Sequence, residues 1–123
     1  MNEGEDKDML TKSPGDTLSL TFNVLVERQE DGSFLAHCAE LDLVAEAGSE
    51  QEACAELLNV IDVQIRTCLE NDNLENLYFP APREVWQKLG RAQQRCERQK
   101  SHRSIPAVGK RFRSVDFEQH CYV

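Results

Sequence analysis

Apolar side chains fall on every second position between residues 18 and 26: Leu18, Leu20, Phe22, Val24 and Val26. Such alternation, rich in Thr, Phe and Val, turns one face of an extended chain toward a core and predicts a β-strand over residues 18–28. The run ends in Glu30-Asp31-Gly32-Ser33. Asp-Gly is a hairpin signal because glycine accepts the positive φ that tight turns demand. The apolar stretch at residues 34–39 is therefore expected to return antiparallel, and residues 43–47 to add a third strand. The pattern then changes period. Ser49 with Glu52 three residues on forms a capping box. Beyond it Cys54, Leu57, Leu58, Ile61, Ile65, Cys68 and Leu69 recur at helical spacing on one stripe, so residues 50–70 read as a long amphipathic helix. Asn71-Asp72-Asn73 stops it. Leu77-Tyr78-Phe79 reads as a short returning strand, ended by Pro80 and Pro82, which lack the N–H a central strand needs. The fold expected is α+β, a small antiparallel sheet of three to four strands packed by one long helix in the order β-β-β-α-β. A C-terminal helix and a further strand are expected to follow.

Past Pro82 the character changes. Val85, Leu89, Ala92 and Cys96 are spaced 4, 3 and 4 apart, a narrow apolar seam on a basic helix, with Gly90 weakening it. Residues 100–110 read as a loop. The end, Arg111-Phe112-Arg113-Ser114-Val115-Asp116-Phe117, reads as a strand with Val115, Phe117, Cys121 and Val123 on one side. Three segments result: an acidic arm at 1–16, poor in apolar residues and expected to be disordered, an α+β domain at 17–82, and a basic extension at 83–123.

Charge sharpens that division. The net charge of −8 conceals −14 over residues 1–82 (18 acids, 4 bases) and +6 over residues 83–123 (4 acids, 10 bases). An acidic body and a basic tail suit different partners, or each other. No apolar run approaches the length of a membrane span, and the polar, acidic start is unlike a signal peptide. A soluble cytoplasmic protein is expected. Five cysteines (Cys38, Cys54, Cys68, Cys96 and Cys121) at irregular spacing then read as reduced thiols.

Candidate chemistry is thin. His37-Cys38 and His120-Cys121 lack the paired spacing of a zinc site, and neighbours on a strand point to opposite faces. The glycines form no phosphate-binding loop. The chain reads as non-enzymatic, with no catalytic residue, metal or cofactor. Its tail offers Arg91, Arg95, Arg98, Lys100, Arg103, Lys110, Arg111 and Arg113 to a phosphate backbone, without a helix-turn-helix pattern.

The order of these short motifs is similar to that of the HicB-like antitoxins over residues 22–65. The matching elements are a strand, the acidic-glycine turn Glu30-Asp31-Gly32-Ser33, the aromatic-led Phe34-Leu35-Ala36 and the acidic-leucine step Ala39-Glu40-Leu41. A further strand and the helix start Gly48-Ser49-Glu50-Gln51-Glu52-Ala53 complete it. The resemblance implies a partial ribonuclease-H-like fold without that nuclease's metal-binding carboxylates. It also implies a role: binding and blocking a small basic messenger-RNA-cleaving toxin of the HicA type. Glu27, Glu30, Asp31, Glu40, Asp42 and Glu46 are the candidate partner-binding residues. Val85, Trp86, Leu89, Ala92, Cys96, Phe112 and Phe117 are the candidates for association into a dimer or higher oligomer. Two alternatives stand beside this reading. One is a nucleic-acid-binding regulator acting through Arg91, Arg95, Arg98, Lys110, Arg111 and Arg113; the other is a stand-alone domain without a toxin partner.

Overall fold

The strand foreseen from Leu18 onward is the axis of the molecule. In a computed structural model, which describes residues 17–92, 95–104 and 114–123, it forms β1 (Thr17–Arg28). The hairpin follows as expected, with Gly32 at φ +91° in the turn to β2 (Phe34–Cys38). β3 (Leu43–Ala47) completes the meander, and Asp42 takes a φ of 55° at its entry. Helix α1 (Glu50–Glu70) starts at Ser49, whose Oγ accepts from the Glu52 N–H at 3.1 Å. A single 3₁₀ turn (Leu74–Asn76), α2 (Arg83–Arg91), β4 (Arg95–Ser104) and β5 (Ser114–Tyr122) close the chain.

The fold is the expected mix of a sheet and a long helix, and the C-terminal strands join the same sheet as β1–β3. Five strands lie in the order β3-β2-β1-β5-β4. β5 runs parallel to β1, in register from Thr17↔Ser114 to Leu25↔Tyr122, and every other neighbour is antiparallel. One face of the sheet carries Leu18, Leu20, Phe22, Val24 and Val26 from β1, Ala36 and Cys38 from β2, and Val115, Phe117 and Cys121 from β5. Against it α1 lays Ala53, Cys54, Leu57, Ile61, Ile65, Cys68 and Leu69. Phe22 and Phe117 meet edge-on with ring centroids 6.1 Å apart.

Several expectations past Glu70 are corrected. Leu77-Tyr78-Phe79 is not a ladder strand. Phe79 and Ala81 donate their N–H groups to the carbonyls of Glu40 and Ala39, and the flanking prolines have none to give. The seam helix stops at Arg91, and Ala92 is already extended. Cys96 therefore lies on β4 and takes no part in a helical seam. A nine-residue helix interrupted by Gly90 is weak alone, and ladder pairing with β5 offers the following residues more backbone hydrogen bonds. Lys100 and the residues up to Ser104 belong to the same strand rather than a loop. Phe117 is 3% exposed in the core and unavailable to a second molecule. Residues 83–123 are accordingly not separable from the body: β5 supplies the neighbour of β1 and part of the shared core.

Candidate partner-binding surface

The six acids singled out in the sequence fall in three places. Glu27 lies on the sheet face opposite α1, where Lys88 of α2 approaches its Oε2 at 3.0 Å. Glu40 and Asp42 sit in the β2–β3 connection and are engaged internally. Glu40 accepts from both the backbone N–H and the side-chain Nδ2 of Asn23, each at 2.8 Å, in the place where a continuing strand would pair. Asp42 Oδ1 accepts from His37 Nε2 at 2.6 Å. Glu30, Asp31 and Glu46 gather at the other end of β2, about 16 Å away at roughly 3.3 Å per strand residue.

At that corner Ser33 is the organiser. Its N–H and Oγ donate to Asp31 Oδ1 at 2.9 and 2.7 Å, and Oγ lies 2.6 Å from Glu46 Oε2. The hydrogen bonds from Ser33 hold the Asp31 carboxyl below its ordinary range, so it stays ionised in mild acid. Because β3 leads within three residues into α1, Glu50 and Glu52 continue the same corner. In the sequence these two read only as part of the capped helix start. Their proximity to Glu46 along the chain was the signal that could have added them. Among the described residues none of these five acids is ion-paired. From residue 27 to residue 56 the chain has nine acids and a single base, Arg28.

The basic residues are placed differently. Arg91 ends α2 and Arg95 begins β4, while Lys110, Arg111, Phe112 and Arg113 lie outside the described residues. Arg98 Nη2 and Lys100 Nζ both approach Glu118 Oε1, at 3.5 and 4.0 Å, and His102 pairs with Asp116. His120 meets Glu118 Oε2 at 2.5 Å, and this bond, with Arg98 alongside, holds Glu118 below the usual carboxylate range. The outer face of β1, β5 and β4 thus carries opposed charges rather than a basic stripe. A shallow groove of about 530 Å³ runs over it between Ser19, Thr21, Lys100, His102, Asp116 and Glu118. Above it α2 lies across Asn23 and Tyr122, leaving an open pocket of about 280 Å³ lined by Trp86 and Leu89. Trp86, Leu89 and Ala92 therefore face the chain's own sheet, and Trp86 is 39% exposed. Val85 is half-buried on the same helix.

The tempting nucleophiles are quiet. Burial pushes the Cys38 thiol up to about 12, and burial also raises Cys68 and Tyr78. His37 and His120 are both held by carboxylates. Among the described residues no group of three or more His, Cys, Asp or Glu converges as a metal site would, and no helix is long and apolar enough to cross a membrane.

Comparison with known proteins found no matching family model, no matching curated protein and no matching solved structure.

Proposed function

We propose that this chain is a non-catalytic binding protein of the HicB antitoxin type, which masks a small basic messenger-RNA-cleaving partner of the HicA type. The observation that carries the reading is the corner formed by Glu30, Asp31, Glu46, Glu50 and Glu52, acidic and without an ion-pair partner among the described residues. Carboxylates fixed at a hairpin tip and a helix start speed the encounter with a basic protein and select against acidic ones. The element order supports the same reading, since three strands and a long helix are followed by a later strand beside β1. Glu40 and Asp42 support the fold instead, and Glu27 is spent on Lys88.

The test is co-expression with a small basic protein encoded beside this chain, reading growth and messenger-RNA integrity. Wild type restores both. Charge reversal of the five corner acids to lysine weakens binding at least tenfold and abolishes the rescue while the circular dichroism spectrum stays unchanged. Lack of any such neighbouring protein, or binding unaffected by the reversal, overturns the proposal.

A further inference from the structure

The two edges of the sheet are fastened by different chemistry. At one edge β3 packs Leu43, Ala45 and Ala47 against the apolar core. At the other, β4 adds none of its described side chains, Arg98 to His102, to that core. Directly opposed residues of an antiparallel pair share a face of the sheet. Gln99 and Ser101 therefore point inward with Gln119 and Phe117, while Arg98, Lys100 and His102 point outward with His120, Glu118 and Asp116. The three outward residues of β4 are exposed, and ion pairs in that setting add little.

The seam between β4 and the core is polar as well. Gln119 is fully buried, and its Nε2 donates to the Cys54 carbonyl of α1 and to Gln99 Oε1, whereas its own Oε1 has no partner among the described residues. A buried amide oxygen left unpaired carries a desolvation cost that contact with water relieves. Lifting β4 away brings water to this seam and takes only Gln99 and Ser101, among its described side chains, from the inner face. Parting β5 from β1 is a different matter. It would pull Val115 and Phe117 from Leu18, Leu20 and Phe22 and break the edge-on contact of the two phenyl rings.

We infer that β4 is a releasable edge strand: it opens from β5 as a unit while β1, β2, β3, β5 and α1 stay folded. In the open state β5 becomes the edge of a four-stranded sheet. Openings of this kind involve part of a structure and need less free energy than global unfolding. Ladder length alone would rank the edges the other way, since β4 has ten residues and β3 only five. The inward side chains reverse that order. The acidic corner lies at the β2–β3 side of the sheet, so release of β4 at the opposite edge leaves it in place.

Native-state amide hydrogen exchange on the full chain, read residue by residue in rising sub-denaturing urea, tests this. The amides of β4, and those of β5 that bond to β4, exchange at least a hundredfold faster than the β5 amides that bond to β1, with a weaker response to urea. The amides of β3 exchange more slowly than those of β4. Ser101→Val sets an apolar side chain beside Phe117 and slows exchange in β4 at least fivefold, and Gln99→Val combined with Gln119→Leu does the same. Lys100→Val brings a similar gain in strand propensity on the outward face and slows it less than twofold. Exchange of β4 and β1 through one opening with the same urea dependence overturns the inference. So does loss of the β1-bonded amides of β5 together with β4, opening of β3 before β4, or equal slowing by Ser101→Val and Lys100→Val. The wild-type and Ser101→Val measurements decide the outcome even if the paired glutamine replacement does not fold.

Discussion

Replacing Phe117 with alanine tests whether the C-terminal strand belongs to the core. Phe117 is 3% exposed, lies between β1 and β4 on the inner face, and meets Phe22 edge-on at 6.1 Å. Returning a buried phenyl ring to water forfeits roughly 1.5–3 kcal/mol of transfer free energy. The edge-on aromatic contact adds about 0.5–1.5 kcal/mol. Incomplete collapse around the space left behind brings the total to about 3–5 kcal/mol, the usual range for Phe→Ala in a core. Domains of this size are stable by only about 5–15 kcal/mol, so the variant approaches the limit of folding at room temperature. In urea, with a slope of about 1–3 kcal/mol per molar, the midpoint falls by more than 1 M while the slope holds. Phe79→Ala is the control: at 68% exposed it shifts stability by no more than about 0.5 kcal/mol. A loss below about 1 kcal/mol at Phe117 would falsify the packing of β5 and restore a separable tail.

Glu40→Ala leaves the Asn23 N–H without its acceptor just past the end of the β1–β2 ladder, and costs about 1–3 kcal/mol by thermal melting; an unchanged melt would show that the carboxylate is not the cap of that N–H. Ser49→Ala removes the acceptor for the Glu52 N–H and costs about 1 kcal/mol, whereas Ser49→Asp retains most of it; equal loss in both would refute the cap. Cys38 sets an alkaline limit. Its folded thiol keeps its proton up to about pH 12, whereas the unfolded thiol gives it up near the ordinary value of 9.0, so the native state binds more protons between these values and stability falls as pH rises through that window. Cys38→Ala should flatten the decline, and a slope identical to wild type above pH 9 would contradict the assignment.

The sequence was most legible where structure is local. Alternation at Leu18 through Val26, the Asp31-Gly32 turn, the Ser49 cap and the stripe from Cys54 to Leu69 each depend on neighbours within a few residues, and the structure has all four. The seam from Val85 to Cys96 misled for the complementary reason. Four apolar residues at helical spacing also fit a short helix followed by a strand. The choice between these lay with β5, which begins eighteen residues downstream of the last of the four. The site shows the same division. The acids of the hairpin tip were visible as acids, but two of the six, Glu40 and Asp42, turned out to hold Asn23 and His37, contacts across 17 and 5 residues that no periodicity encodes.

Gln119 illustrates the limit most plainly. It occupies an inward position of β5 with full burial, its Nε2 donating to the Cys54 carbonyl at 2.6 Å and to Gln99 at 2.9 Å while Oε1 finds no partner among the described residues. By itself the sequence determined which segments would be strand, turn and helix, because steric preference and hydrophobic period act over short distances. Tertiary structure alone decided that β5 lies parallel to β1, that Phe117 and Gln119 enter the core, and that β2 pairs with β1 only from Val24 to Arg28. Those outcomes follow from how strands compete for the hydrogen bonds of one sheet, and that competition is settled between residues far apart in the chain.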